Sequence, residues 1–191
     1  MPLPWPLPDR TDLRDELVAA YSTDRGYHDL RHLTEVLDRI DELGESDNVE
    51  VVLAAWFHDA VYDAAGDNEE RSAALAESAL AGSGVDVDEV ARLVRLTLTH
   101  RPSSGDHNGE VLCDADLAIL AAPAERYAEY VAGVRREYAD VSDEDFRLGR
   151  LAILESLAEK PALFATDHAR QSWEPAAREN LAAEIADLRG S

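Results

Sequence analysis

The sequence predicts an all-α fold, and three observations carry the prediction. Apolar residues recur at helical spacing along most of the chain, period-two alternation and β-branched clusters are scarce, and the apolar stretches are bracketed by capping residues or by Gly and Pro. At 191 residues the chain suits one domain, and 46% hydrophobic residues supply the material for a buried core. About eight or nine helices follow.

Met1 to Pro8 alternates proline with apolar residues. Proline lacks an N–H and fixes φ, so this segment reads as an extended arm on the domain surface and not as the apolar helix of an export signal. Asp9 or Thr11 can cap a first helix to about Tyr21. A second, from near Gly26 to about Leu43, puts Leu30, Leu33, Val36, Leu37 and Ile40 on one face, and Gly44 stops it. Ser46 or Asp47 caps a third, whose run Val51 to Phe57 is apolar nearly all round and is therefore expected to be central. A loop over 63–67 leads to a cap at Asp67 or Asn68 and a helix to about Ala81. Gly82-Ser83-Gly84 breaks the chain, and Asp86 and Asp88 open a helix reaching about Thr99. A loop over 101–109 precedes a short apolar helix from about Val111 to Leu120. Pro123 starts the next, to about Tyr138. Ser142 with Asp145 resembles a capping box for a helix ending before Pro161, and a last helix covers roughly Pro175 to Leu188.

The formal charge of −22, from 40 acidic and 18 basic residues, repels phosphate backbones and anionic membranes, so neither a nucleic-acid polymer nor a membrane is an expected partner. The single cysteine, Cys113, excludes an internal disulfide framework and fits a reducing compartment, so the cytoplasm is the expected setting. A small anionic substrate would need a local positive feature: a metal or a few arginines.

Six histidines are present, and three features collect the residues able to do chemistry. His28 and His32 lie four apart at a predicted helix start, which puts two imidazoles on one face; a surface pair has the same spacing. His58-Asp59 ends the most apolar run, where an imidazole and a carboxylate must be paired, hydrogen-bonded or bound to metal, or else simply close a helix C-terminus. Asp114 and Asp116 precede Leu117-Ala118-Ile119-Leu120. A capping role fits Asp114 well and Asp116 less well, because core-type residues follow Asp116 at once. Asn68 and Glu69 are candidates for a site mouth, or else a cap and a first-turn acid. His100 and His107 are candidates for a substrate phosphate or a second metal, or else exposed histidines, and Arg25 is a candidate to pair with an anionic substrate, or else a surface ion-pair residue. Arg135, Arg136 and Arg150 are surface ion-pair residues by default, and His168 is a surface residue.

A His, then an adjacent His-Asp, then a distant Asp is the ligand order of the HD superfamily. Tyr27-His28-Asp29-Leu30-Arg31-His32 resembles the Tyr-His-Asn-x-x-His segment of cyclic-nucleotide phosphodiesterases, distant HD relatives, with Asp29 where Asn is usual; Ala115-Asp116-Leu117 resembles their Ala-Asp-Leu ligand segment. The closer resemblance, over most of the chain, is to a bacterial family of predicted metal-dependent HD phosphohydrolases. It is carried by Arg25-Gly26-Tyr27-His28, Trp56 to Asp63, Asp67-Asn68-Glu69, Ser72-Ala73, Thr99-His100, Asp114 to Leu120, Arg135 to Tyr138, Gly149-Arg150 and Arg178 to Leu181.

The resemblance implies a single HD-type helical domain over 9–191. It implies one or two divalent ions (Mn, Mg, Co, Ni, Fe or Zn) on His32, His58, Asp59 and Asp116, and hydrolysis of a phosphoester, such as a nucleotide or another small phosphorylated metabolite, by a metal-activated water. On this expectation His28, Asp59 and Glu69 are catalytic, with His28 the proton donor, and Arg25, His28, Asn68 and His100 meet the substrate. Two further classes stay open: a metal-stabilised binding or regulatory domain without turnover, and a di-iron HD oxygenase, which needs additional histidine ligands. Oligomeric state is left undetermined.

Overall fold

The structure is a computed structural model that describes residues 3–23, 25–63 and 66–190. Among these residues every regular element is helical, as the sequence predicts, and no helix is long and apolar enough to cross a membrane. The chain divides into two compact units, Met1–Asp116 and Leu117–Ser191.

The first unit is built from α1 (Thr11–Tyr21), α2 (Leu30–Glu42), α3 (Val49–Phe57), α4 (Asn68–Ala79), α5 (Val87–Leu96) and α6 (His107–Leu117, whose last residue lies past the boundary). Helix α3 is its centre: Val51 to Phe57 are all buried, and α2, α4 and α5 pack on it. The apolar face of α2 (Leu33, Val36, Leu37, Ile40) and that of α5 (Val90, Ala91, Leu93, Val94) close the core. The Pro-rich arm is tied to this core. Trp56 Nε1 donates to Pro4 O at 2.8 Å, Trp5 meets the Trp56 ring edge-on at 5.1 Å, and Leu3 and Leu7 are partly buried against the same cluster. An indole N–H buried with its ring needs a partner, and an extended proline segment has free carbonyls to give.

Helix starts follow local chemistry. Asp29 caps α2 by accepting from the backbone N–H groups of Arg31 and His32, Asn48 caps α3 and Asp86 caps α5. Four expectations change. Asn48, and not Ser46 or Asp47, caps the third helix. The second helix begins at Leu30 and not near Gly26, because Asp29 takes the cap, so His28 precedes the helix. The fifth ends at Leu96, short of Thr99. The sixth begins at His107, so Asp114 sits inside a helix, 1% exposed, and is not a cap.

The second unit holds a 3-10 turn (Ala118–Ala121), α7 (Ala124–Glu137), α8 (Asp143–Ala158), α9 (Asp167–Ser172) and α10 (Glu174–Gly190). Helix α10 packs on α8, α9 and the 3-10 turn, and Ser142 caps α8 as predicted. Sequence periodicity does not reveal α9, whose six residues include one buried position, Ala169. Arg150 is buried, not a surface ion-pair residue: its guanidinium grips Glu184 at 2.8 and 3.1 Å, Tyr127 Oη donates to the same carboxylate, and the Tyr130 ring lies against it. A buried guanidinium is tolerated because this carboxylate neutralises it.

Candidate functional site

Four side chains converge inside the first unit. His32 comes from the first turn of α2. His58 is the residue after α3, and Asp59 follows it. Asp116 stands near the end of α6. His32 Nε2 lies 3.1 Å from His58 Nε2, 3.2 Å from Asp116 Oδ1 and 3.5 Å from Asp59 Oδ2. His58 Nε2 lies 3.1 Å from Asp59 Oδ2 and 3.6 Å from Asp116 Oδ1. Both imidazoles are 2% exposed or less. Atoms sharing one ion at about 2.0–2.2 Å, at roughly 90–110° to one another, sit about 2.8–3.6 Å apart. The cluster has that spacing, and one atom each from His32, His58 and Asp59 falls within a mutual 4.8 Å.

The tautomer of His58 follows from its other nitrogen. Nδ1 lies 2.7 Å from Ala55 O, one turn back on α3, and a carbonyl can only accept, so Nδ1 keeps its proton in either charge state, and it is Nε2 that gives up a proton to offer a lone pair to the cluster when the imidazole is neutral. Burial opposes charging His32, but hydrogen bonds to Asp116 and Asp59 outweigh it and push the imidazole up to about 10. His58 is raised too, because the Asp59 and Asp116 charges prevail over its burial. Burial would raise both carboxyls, yet the charge on His58 and the hydrogen bonds to the imidazoles hold Asp59 and Asp116 well below the usual range. With neutral imidazoles the donor set carries two negative charges. A divalent cation cancels that charge, and imidazole plus carboxylate suits Mn, Fe, Co, Ni or Zn.

Asp59 lies beyond the last turn of α3, and its backbone is held from both sides. Its N–H donates to Tyr21 Oη at 3.1 Å, and its carbonyl accepts from Arg25 Nη1 at 2.8 Å. Burial and the neighbouring Asp59 charge keep the Tyr21 hydroxyl far above its ordinary pKa, so it stays protonated. The Arg25 guanidinium also donates to His28 O and Ala60 O and packs against the rings of Tyr21 and Tyr62. Arg25, expected to meet substrate, is thus a brace between the His28 segment and the turn after α3. The part played by Tyr21 had no sequence signal; it depends on where α1 packs.

His28, half-buried, reaches the cluster although it lies outside α2. Its ring is 5.6 Å from that of His32 and stacks on Tyr62 at 4.5 Å. His100 Nε2 is 2.7 Å from Asp116 Oδ2, on the far oxygen of that carboxylate. Among the described residues, Asn68 makes no hydrogen bond to the cluster. Its amide both accepts from and donates to the backbone of Asp63, closing the loop before α4. Glu69 is half-buried in the first turn of α4, with no hydrogen bond to the cluster among the described residues. His107 pairs with Glu45 at 2.7 Å on an exposed surface.

Comparison of the chain with protein-family models, with curated proteins and with solved structures gives no match. Any assignment of function therefore rests on the site and on the motifs.

Proposed function

We propose that the chain is a metal-dependent phosphohydrolase of the HD type, acting on a phosphoester of a small metabolite. The observation that carries this reading is the convergence of His32 Nε2, His58 Nε2, an Asp59 oxygen and an Asp116 oxygen at 3.1–3.6 Å, with His58 Nδ1 committed to Ala55 O. When bound, a divalent cation supplies a Lewis acid for a phosphoryl oxygen and acidifies a ligated water.

The residues around it have distinct tasks. His32, His58, Asp59 and Asp116 would hold the ion, and the two carboxylates would supply the charge that makes a dication preferable to a monovalent one. Tyr21 and Arg25 fix Asp59 through its backbone. His28, stacked on Tyr62 beside the cluster, holds the proton that goes to the leaving oxygen. The charge of −22 favours a small substrate drawn in by the metal over a nucleic-acid polymer. The oxidative alternative needs more histidine ligands, and His107 is already engaged by Glu45.

The test is elemental analysis of protein purified without added metal, beside the His58→Ala/Asp59→Ala double variant, followed by phosphate release from nucleotides and generic phosphoesters with each divalent metal. Near-stoichiometric metal and metal-dependent phosphate release in the wild type, both lost in the variant, are expected. A wild type that takes up no divalent metal under any loading condition refutes the reading. Metal uptake without turnover of any ester in the panel points to the binding or regulatory domain.

A further inference from the structure

His100 is the one non-glycine residue with positive φ (+48°) among the described residues. It follows the end of α5, and its N–H closes a backbone hydrogen bond to Leu96 O at 3.0 Å. A left-handed residue just past a helix C-terminus is ordinarily glycine, because a Cβ there is crowded. Backbone energetics alone would therefore not choose histidine, so the side chain is the place to look for the reason. That side chain spans from the end of α5 to Asp116 on α6, and its Nε2 meets Asp116 Oδ2 at 2.7 Å, while Oδ1 of the same carboxylate lies 3.2 Å from His32 Nε2 and 3.6 Å from His58 Nε2.

We infer that His100 is a positioning residue: its Nε2–H engages Asp116 Oδ2, so that Oδ1 alone faces the two imidazoles and Asp116 can bind an ion through a single oxygen. A carboxylate carries two equivalent oxygens and rotates about Cβ–Cγ. Without a donor on one side, Asp116 can turn its second oxygen in or chelate through both. The left-handed backbone and the reach of the imidazole to α6 occur together at this one position. The inference rests on the metal reading above and differs from the expectation that His100 meets substrate or binds a second ion.

Backbone and side chain make opposite demands at this position, which yields a clean test. His100→Gly removes the imidazole and also removes the crowded Cβ. The metal-free variant should therefore stay folded with a cooperative melt, the strain relieved offsetting part of what the lost bond to Asp116 and the added freedom of the unfolded chain cost. Its Mn2+ affinity by calorimetric titration should fall about 10–100-fold at unchanged stoichiometry, the usual effect of losing a partner that orients a ligand. His100→Gln, which offers an N–H at similar reach, should recover affinity to within a few-fold.

The inference is overturned if His100→Gly binds Mn2+ as tightly as wild type. A fall in stoichiometry from two ions to one also overturns it, because His100 would then be a ligand, as does failure of the glutamine to recover affinity. Failure of the wild type itself to bind Mn2+ or any other divalent ion is a different result, and refutes the metal reading on which the inference rests.

Discussion

At the scale of single residues, the bond between His58 Nδ1 and Ala55 O does more than its length suggests, because it assigns the proton and leaves Nε2 as a donor atom. His32 has the opposite character: its two carboxylate neighbours hold a proton on it up to about pH 10 in metal-free protein. A metal must displace that proton, and His58, also raised, adds a second over part of the range, so apparent affinity for Mn2+ should rise by at least about tenfold per pH unit between pH 6 and 8, with proton release measurable by titration in buffers of different ionisation enthalpy. The metal-free protein should show the linked effect in its stability. The folded pKa of His32 is raised, so its contribution is complete below about 6.5 and is lost as pH climbs through about 10. The Asp59 and Asp116 pKa values are lowered, so their contributions are complete above the ordinary carboxylate range and are lost as pH falls through their depressed values. Thermal melts of metal-free protein across pH should therefore show a maximum between about 4 and 6.5, and a flat profile from 6.5 to 10 would contradict the His32 assignment.

At the scale of helices, the site depends on where elements end. Asp29 stops α2 from extending back over His28 and frees that residue to lie across the cluster against Tyr62. The Asp29 side chain also holds the N–H of His32 at 3.1 Å, so the cap and the first ligand share a turn. Asp29→Ala should cost about 1 kcal/mol of stability, typical for a lost N-cap. It should also weaken metal binding, since His32 sits in the loosened turn, whereas Asp29→Asn, which keeps an acceptor at the cap, should do neither; chemical denaturation and metal titration read the two effects separately. Much of this was legible in the sequence. The four cluster residues could be listed because their order along the chain resembles the HD ligand order, and Ser142 and Pro123 marked helix starts by local chemistry. The start of α2 was misread because Asp29 competes with helical spacing that continues through His28. Helix α9 was missed because six residues make too short a pattern for periodicity to register.

On the scale of the whole chain, charge dominates. A formal charge of −22 on 191 residues sets up self-repulsion in the compact state that counter-ions screen. Raising NaCl from about 10 mM to roughly 0.5 M should lift the melting temperature by a few degrees in metal-free protein at pH 7; a fall would mean that screened ion pairs, such as those of Arg92 and Arg95 with their acidic neighbours, outweigh the general repulsion. Several of the few cationic side chains are engaged by backbone carbonyls or carboxylates. Arg25 donates to three carbonyls, Arg150 is buried on Glu184, and Arg135 closes the turn between α7 and α8 onto Tyr138 O, Val141 O and Asp143.

By itself the sequence determined the helical class and the central place of α3, because periodicity acts locally and can be read from spacing; the four convergent side chains were singled out by the resemblance of their order to the HD ligand set, spacing alone leaving a surface pair, a helix end and a cap as alternatives. The tertiary structure alone decided that Arg25 braces the turn after α3, that Tyr21 holds the N–H of Asp59, that Asn68 serves its own loop, and that His100 reaches Asp116. Apart from the loop closed by Asn68, these contacts join residues 16 to 38 positions apart, and hydrogen bonds at such separations are set by how helices pack, which no local pattern encodes.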